Sequence, residues 1–297
     1  MNWGQAISDA IALGALYGLV AIGIGLVFGV MRLVNFAYGE LITAGGYTLA
    51  FTSDWSPVLS ILLCIVVVVA LSLLQDRLAF RPLLRIGASP IAMLVATFAV
   101  SFLLQSIYLL AFGSLGSSVG TLGGLNSAFR IGGVYVRWIV VVTVVTSGLL
   151  LAGTVALLER TEIGLHIRAA SIDFKTARVL GVRAQRVITL SFVIAGILAA
   201  VVSILFTVSN PLVQPTMGVP IMIFVLVGSV VGGLDRLWSA TLGGFAIGFA
   251  QGIFGDLLPS SASNYLPSVV YGIVILVLVL RPAGLFMPAR SREVERV

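Results

Sequence analysis

The chain contains few of the residues from which catalytic and metal-binding sites are usually built. Its only cysteine is Cys64 and its only histidine is His166. A single cysteine excludes an internal disulfide and a thiolate metal site, and a single histidine argues against a histidine-based metal centre or catalytic dyad. The G-x4-G-K-[ST] loop that binds phosphate in many ATPases is absent. The chain also has no Ser-His-Asp set and no paired catalytic carboxylates. We therefore expect no catalytic centre, no metal and no cofactor bound by this chain.

Charged residues are also scarce. Only 9% of the residues are charged, 59% are hydrophobic and the mean hydropathy is +1.15, whereas soluble chains carry about 25% charged residues. Asp, Glu, Lys and Arg are missing from the runs 91–112, 138–158 and 265–280. Each run is near the roughly 20 residues that a helix needs to cross a bilayer. The sequence predicts an all-α polytopic membrane protein with one transmembrane domain over residues 1–297.

The apolar runs predict the positions of the membrane spans. Candidate spans lie near 9–31, 36–52, 57–76, 90–112, 138–158, 187–208, 217–234, 238–255 and 265–281. The segment 36–52 is the weakest, because it is short and contains Glu40 and three glycines. It can be a full span, a broken helix or a re-entrant element. The expected number of transmembrane helices is therefore eight or nine.

The basic residues indicate the orientation. They cluster in the gaps 76–89 and 159–186 and in the tail 281–297. Cytoplasmic loops carry an excess of arginine and lysine, so these segments and the C-terminus should be cytoplasmic and the loop 113–137 external. Nine spans would place the N-terminus outside, and eight would place it inside. Apolar residues among the glycines and serines of 113–137 favour short ordered elements there, with a flexible connector as the alternative.

A short motif that occurs twice raises the question of an internal duplication. The motif Gly-x3-Gly, followed by an arginine and a glycine-containing apolar segment, occurs at 25–52 and again at 228–255. Many transporters consist of two related halves whose broken helices meet at the transport path. The same spacing is also ordinary helix packing in membranes, so both interpretations stay open.

The segment 159–186 has the features of a docking element. It is too long for a tight turn and too polar to cross the bilayer. Gly181 is placed to end its second short helix. An apolar stripe flanked by charges is typical of helices that dock into a groove of a partner, and a plain connector is the alternative. The apolar positions that suit one or two short surface helices are Ile167, Ala170, Ile172, Ala177, Leu180 and Val182.

Three strings in this chain resemble one family of transporters. TEIGLHIRAASIDFKTARVLGV (161–182) looks like the coupling segment of permease subunits of ABC importers for branched-chain amino acids. GALYGLVAIGIGLVFGVMRLVNFAYGELITAGGY (14–47) and VVGGLDRLWSATLGGFAIG (230–248) resemble the opening and a late string of the same family. Together they cover about a quarter of the chain. The late string departs from the family pattern by carrying Asp235 and Arg236, which puts its local geometry in doubt.

The resemblance implies a division of labour. This chain would be one half of a permease pair, with a second, homologous permease subunit. Two cytoplasmic ATPase subunits would use ATP and Mg²⁺, and an external or periplasmic solute-binding protein would deliver a small-molecule substrate. The expected location is the bacterial cytoplasmic (inner) membrane, and nucleic acid is not an expected partner. The residues expected to couple to the ATPases are Glu162, Gly164, Arg168, Ala169, Ala170, Asp173, Ala177, Leu180 and Gly181.

A second candidate site is the string 35–40, where a carboxylate begins a span. A carboxylate that faces lipid is costly, so the side chain of Glu40 should face the bundle or water. It can line the transport path, or it can be an interfacial carboxylate near a helix N-terminus with Asn35 as the N-cap. The polar or aromatic residues assigned to the path are Asn35, Phe36, Tyr38, Glu40, Gln105 and Gln251.

Three classes of function compete. The first is a permease subunit of an ATP-driven importer for branched-chain or related small amino acids. The wider family includes permeases for urea, ribose and nucleosides, so urea or another small solute is the alternative cargo. The second class is a secondary transporter or channel that works alone, but few buried ionisable residues are available for ion coupling. A membrane enzyme, the third class, lacks a cluster of catalytic polar residues.

Overall fold

The computed structural model describes residues 3–131, 134–172, 174–179, 183–233, 237–259, 262 and 265–280. These residues form twelve α-helices and four very short strands, so the prediction of an all-α membrane protein is confirmed. The helices are α1 (Trp3–Met31), α2 (Tyr38–Phe51), α3 (Pro57–Gln75), α4 (Arg81–Arg85), α5 (Pro90–Phe112), α6 (Trp138–Arg160), α7 (Glu162–Ile172), α8 (Phe174–Val179), α9 (Ala184–Ser209), α10 (Gly218–Gly232), α11 (Leu237–Leu257) and α12 (Leu266–Leu280). The strands are β1 (Ser117–Ser118), β2 (Ala128–Ile131), β3 (Val134–Arg137) and β4 (Leu212–Val213).

Six helices are long and apolar enough to cross a membrane: α1, α3 with its continuation to Arg85, α5, α6, α9 and α11. The apolar helices α10 and α12 are shorter. The predicted weak span is α2, which has only 14 residues. At about 1.5 Å per residue it is about 21 Å long, which is less than the roughly 30 Å of the hydrocarbon core. Nearly all of α2 is buried inside the bundle, so it is a short internal helix.

The helices alternate between two ends of the bundle. One end, here called the arginine-rich end, holds α4, α7, α8 and the start of α9. The other, the hairpin end, holds the antiparallel β2–β3 hairpin between α5 and α6. The loop 113–137 has ordered elements, as predicted, because β1 pairs with β4 and the Asn126 side chain donates a hydrogen bond to Val208 O at 2.8 Å.

Two helices begin inside the bundle after a non-helical segment. Residues 32–37 separate α1 from α2, and residues 210–217 separate α9 from α10. The first turns of α2 and α10 meet, since the Gly218 amide donates to Thr43 Oγ1 at 3.1 Å. A Cβ at Gly39 would lie 2.6 Å from Gly218 O, and a Cβ at Gly218 would collide with Gly39 O. Only two glycines allow this reciprocal approach.

The helix contacts form two matching sets. The contact between α1 and α11 corresponds to the contact between α9 and α3. The contact between α2 and α3 corresponds to the contact between α10 and α11. Helix α2 also contacts α9 and α5, and α10 correspondingly contacts α1 and α12. In each matched pair the two helices run in opposite directions between the ends of the bundle. The set α1, α2, α3, α5 therefore corresponds to α9, α10, α11, α12 in inverted orientation, as in many transporters.

This correspondence changes the register of the predicted repeat. The repeated motif aligned α1 and α2 with α10 and α11, whereas the helix contacts align them with α9 and α10. The Gly-x3-Gly motifs serve packing instead. Gly228 and Gly232 let α10 approach α11 at Gly243, while Gly25 faces Leu237 and Gly29 faces Ser171. These small residues give close helix approach, which is their usual role in membranes.

Side-chain hydroxyls also join neighbouring helices by donating to main-chain carbonyls. Ser72 Oγ donates to Phe192 O and Ser203 Oγ to Ile42 O, each at 2.7 Å. Tyr38 OH donates to Ala195 O at 3.2 Å. Such bonds replace the water that these polar groups would otherwise need inside the bundle.

The segment 76–89, predicted as a gap between two spans, is helical for most of its length. A π-helical turn, Asp76–Phe80, carries α3 into α4, and the first glycine with positive φ is Gly87 (φ +66°). Asp76 is fully buried and pairs with Arg81 at 2.8 Å. The charges that predicted a loop therefore neutralise each other inside the helix packing.

Candidate translocation path and coupling surface

Glu40 lies in the first turn of α2 and is fully buried. Its Oε1 accepts hydrogen bonds from Ser101 Oγ and Gln105 Nε2 of α5, each at 2.9 Å. Its Oε2 is buried with no hydrogen-bond partner among the described residues. Tyr108 OH donates to the Glu40 main-chain oxygen at 3.0 Å. Two residues assigned to the path, Glu40 and Gln105, are thus in direct contact.

Aromatic and polar side chains continue from this contact to the outer face of α5. The ring of Phe36, in the break before α2, stacks on Phe98 with centroids 4.1 Å apart. Towards the hairpin end, the break before α10 borders a groove of about 350 Å³. The groove is lined by Phe102, Gln105, Ser106, Leu109, Ser114, Gln214, Pro215 and Thr216. Both breaks therefore flank one face of α5, here called the α5 face.

Asn35 holds the first break in place, but it is not the N-cap of α2. That position belongs to Ala37, which makes no side-chain capping bond. Asn35 Oδ1 instead accepts from the Ala37 amide at 3.0 Å, and Gln75 Nε2 donates to Ala37 O at 3.1 Å. Asn35 Nδ2 donates to Gln75 Oε1 at 3.4 Å. These bonds satisfy non-helical backbone inside the bundle, where water is not available.

The polar cluster beside Gln75 was missed by the sequence interpretation. Arg81 Nη2 donates to Thr189 Oγ1 at 2.6 Å, and Thr189 Oγ1 donates to Asp76 Oδ2 at 3.2 Å. The cluster ties the π-helical turn to the start of α9. Its sequence signal is the spacing of five between Asp76 and Arg81, which places the two side chains one π-helical turn apart.

Gln251 lies away from the other path residues. It is in the second half of α11 and lines a separate cavity at the hairpin end. The structure therefore groups Asn35, Phe36, Tyr38, Glu40 and Gln105 around α2 but does not bring Gln251 to them. A single polar residue in an apolar run gives no signal of which cavity it faces.

Helix α7 is held tightly against the end of α6. Thr161 Oγ1 accepts from the Gly164 amide at 3.1 Å and so caps the helix. A Cβ at Gly164 would collide with the carbonyl oxygens of Leu157 and Leu158. Gly164, assigned to ATPase coupling, is thus a packing position within this chain.

The exposed surface of α7 and α8 differs from the expected one. Glu162 and Arg168 are exposed and Ala169 is half-buried. Ala170 and Ala177 are only 3% and 4% exposed, so they pack against this chain's own helices. The coupling role of Ala170 stays a prediction, although little of its side chain is available to a partner. Asp173, Leu180 and Gly181 lie outside the described residues.

Three large apolar side chains of these helices are exposed. The exposed fractions are 40% for Ile163, 56% for Leu165 and 87% for Val179. Ile163 and Leu165 are two positions apart in α7 and so point to different sides of that helix. These three residues, here called the exposed apolar residues, were not among the expected coupling residues.

One hydrogen bond connects α7 to the first break. Arg32 ends α1 in the left-handed conformation (φ 54°), and its Nη2 donates to Ser171 O at 2.7 Å. A left-handed residue is the usual way to end a helix, although glycine normally occupies it. Three residues later, Asn35 forms the contacts with Ala37 and Gln75. Hydrogen bonds at Arg32 and at Asn35 therefore fix both ends of the short segment between α7 and Phe36.

Comparison with known proteins agrees with this architecture. Residues 6–279 match the family described as branched-chain amino acid transport system / permease component. The chain is 29% identical to the high-affinity branched-chain amino acid transport system permease protein BraD of Pseudomonas aeruginosa, covering 99% of this chain and 97% of that protein. It is 27% identical to LivH of Escherichia coli K12, a permease protein of the same description, with the same coverage.

A more distant organism gives a similar match. The probable branched-chain amino acid transport permease protein LivH of Methanocaldococcus jannaschii is 28% identical over 95% of this chain and 90% of its own length. No solved structure matches the chain. Within the described residues, no group of three His, Cys, Asp or Glu side chains is placed to hold a metal ion. The chain belongs to the family of permease components of branched-chain amino acid transport systems.

Proposed function

We propose that this chain is one permease subunit of an ATP-binding-cassette importer that moves branched-chain or related small amino acids into the cytoplasm. The family match over residues 6–279 carries the proposal. The inverted halves and the two broken helices that meet at Gly39 and Gly218 support it, since this architecture is typical of alternating-access transporters. A urea permease or a lone secondary transporter has no comparable support.

The energy comes from partner subunits. Two cytoplasmic ATPase subunits bind the arginine-rich end and use ATP and Mg²⁺, while this chain binds no cofactor. The exposed apolar residues Ile163, Leu165 and Val179 support this, because a groove in a partner can enclose short helices that carry apolar residues. The exposed charges of Glu162 and Arg168 lie on the same helix, α7, and favour one docking register.

The remaining partners follow from the same arrangement. A second, homologous permease subunit covers the α5 face, where Gln105 and Ser106 would otherwise face lipid at a cost. A solute-binding protein delivers the amino acid at the hairpin end. The chain lies in the cytoplasmic (inner) membrane with its arginine-rich end and its C-terminus in the cytoplasm.

Co-purification with the ATPase subunits tests this assignment. The permease is expressed with its ATPase subunits and captured through a tag on the ATPase. Leu165→Asp should reduce capture at least about tenfold, because it places a charge in an apolar contact. Leu115→Asp, at a position of the hairpin end that is 91% exposed, should leave capture unchanged. Equal capture of both variants would refute the docking role of Leu165.

A further inference from the structure

The cavity that contains Gln251 lies apart from the α5 face. It has a volume of about 300 Å³ and lies among α1, α6, α9, α11 and α12 at the hairpin end. This volume is at the lower end of small-molecule sites, which suits a compound of amino-acid size. Its charged lining residues are Asp9, Arg137 and Asp256.

Two hydrogen-bond acceptors in this cavity are unused. Asp9 Oδ1 and Gln251 Oε1 are buried and have no hydrogen-bond partner among the described residues. Arg137 Nη2 is 3.5 Å from Asp9 Oδ1, which is longer than the 2.7–2.9 Å of a charge-assisted hydrogen bond. Buried acceptors are normally satisfied, so these atoms indicate a missing donor.

The chemistry of the missing donor follows from the lining. A primary ammonium group has three N–H donors, and the cavity offers Asp9 Oδ1, Gln251 Oε1 and the carboxylate of Asp256. Two carboxylates against one arginine leave the empty cavity with an excess negative charge, which favours an ammonium. Arg137 is only loosely paired and is 38% exposed, so it can bind a carboxylate of the same ligand.

The rest of the lining is partly apolar. Leu13, Leu16, Val140, Phe206 and Leu266 form an apolar wall, and Thr143, Ser209 and Asn210 add polar groups. A ligand that carries an ammonium, a carboxylate and an apolar side chain therefore matches the three parts of the lining. A zwitterionic α-amino acid has this composition.

We propose that this cavity is a binding site for a zwitterionic amino acid with an apolar side chain, separate from the path along the α5 face. The ammonium binds between Asp9, Gln251 and Asp256, the carboxylate binds Arg137, and the side chain contacts the apolar wall. The choice of a branched-chain side chain rests on the proposed function, whereas the ammonium and carboxylate contacts rest on the cavity alone.

Ligand binding to the full chain, without ATPase subunits, tests the proposal independently of transport. The chain is placed in nanodiscs of phosphatidylglycerol, and binding of radiolabelled leucine is measured by scintillation proximity. Isoamylamine, which lacks the carboxylate, should need a concentration about tenfold or more higher than that of leucine to displace the label. The compound 4-methylpentanoate, which lacks the ammonium, should not compete. Equal competition by all three compounds would contradict recognition of both charges.

Variants of the lining residues test whether leucine binds in this cavity. Asp256→Asn and Arg137→Gln should each weaken leucine binding about ten- to a hundredfold, the value of one charged hydrogen bond. Ala12→Leu fills the cavity without changing its charges and should abolish binding. Asp54→Asn removes an exposed carboxylate at the same end and should change nothing.

Three further outcomes overturn the proposal. They are no leucine binding by the unaltered chain, unchanged binding by all three cavity variants, and loss of leucine binding when phosphatidylethanolamine is added. The last result would assign the cavity to a lipid headgroup, which also carries an ammonium and an anionic group. If leucine binds as proposed but the complex transports another solute, only the proposed function fails.

Discussion

At the scale of single residues, Arg32 links the coupling helices to the first break. Its positive φ is a conformation that costs a non-glycine residue roughly 1–2 kcal/mol. The side chain offsets this cost by donating to Ser171 O. At this position a contact with α7 compensates for an unfavourable backbone conformation.

Arg32→Gly separates these two effects. Glycine keeps the left-handed conformation without strain but removes the hydrogen bond, so assembly and thermal stability should be retained. Transport per ATP hydrolysed should fall about fivefold, the value of roughly 1 kcal/mol of lost coupling. The measurement is leucine uptake and ATP hydrolysis in the same proteoliposomes. Arg85→Gln removes an exposed charge of α4 at the same end and is the control; an equal loss there would show a general charge effect.

Glu40 gives a second prediction at this scale. Glu40→Leu leaves Ser101 and Gln105 without their common acceptor, so unfolding should become easier by about 1–3 kcal/mol. Glu40→Gln keeps an acceptor oxygen for Gln105 Nε2 and should lose much less. Thermal unfolding of the detergent-solubilised chain checks this order. If both variants unfold alike, the hydrogen bonds of Glu40 do not stabilise the contact between α2 and α5.

At the scale of elements, the meeting of α2 and α10 depends on two glycines. Gly39→Ala or Gly218→Ala would place a methyl group against the opposing main-chain carbonyl. Neither backbone can move freely, so each variant should lose about 3 kcal/mol or more of stability and most of its transport. Thermal unfolding and leucine uptake measure the two effects.

Gly148→Ala is the matched control for this pair. Gly148 lies within α6, and a Cβ there meets nothing within 4 Å. Alanine in a helix interior is favoured over glycine by roughly 0.5–1 kcal/mol, so this variant should be as stable as the original or more stable. A Gly39→Ala variant that behaved like Gly148→Ala would show that the close approach is not needed.

The sequence predicted most elements but not their register against each other. Apolar runs located α1, α2, α3, α5, α6, α9, α10, α11 and α12, and the composition of the segment 159–186 located the surface helices α7 and α8. The prediction failed where charges are neutralised by tertiary contacts, as with Asp76 and Arg81, which extend a helix instead of ending it. Residue size also did not reveal which side of a surface helix faces the bundle, as the burial of Ala170 shows.

At the scale of the whole molecule, the arginines of α4, α6, α7 and α9 share one end. That grouping was predictable from the positive-inside bias, because the bias depends only on the order of spans and charges. The inverted halves were predictable only in outline. The predicted spans 36–52 and 217–234 begin within two residues of α2 and α10. The register of the halves depends instead on which helices contact each other, and composition does not reveal those contacts.

Cysteine accessibility tests the orientation of the whole chain. In a Cys64→Ser background, a cysteine at the exposed position Ser118 should react with an impermeant reagent in intact cells, and one at Glu162 should not. Serine can replace the Cys64 thiol, which donates to Gly45 O at 3.7 Å, so the background should remain folded. After the cells are opened, both positions should react. Labelling of Glu162→Cys in intact cells would invert the proposed topology.

Amino acid uptake by the assembled transporter tests the central claim most directly. Proteoliposomes contain this chain with its second permease subunit and ATPase subunits, and the solute-binding protein and radiolabelled leucine are added outside. Leucine should accumulate only when ATP and Mg²⁺ are supplied on the ATPase side, and unlabelled isoleucine or valine, but not urea, should compete. Liposomes containing this chain alone should take up no leucine. Nucleotide-independent uptake by the chain alone would contradict its assignment as a permease subunit of an ATP-driven importer.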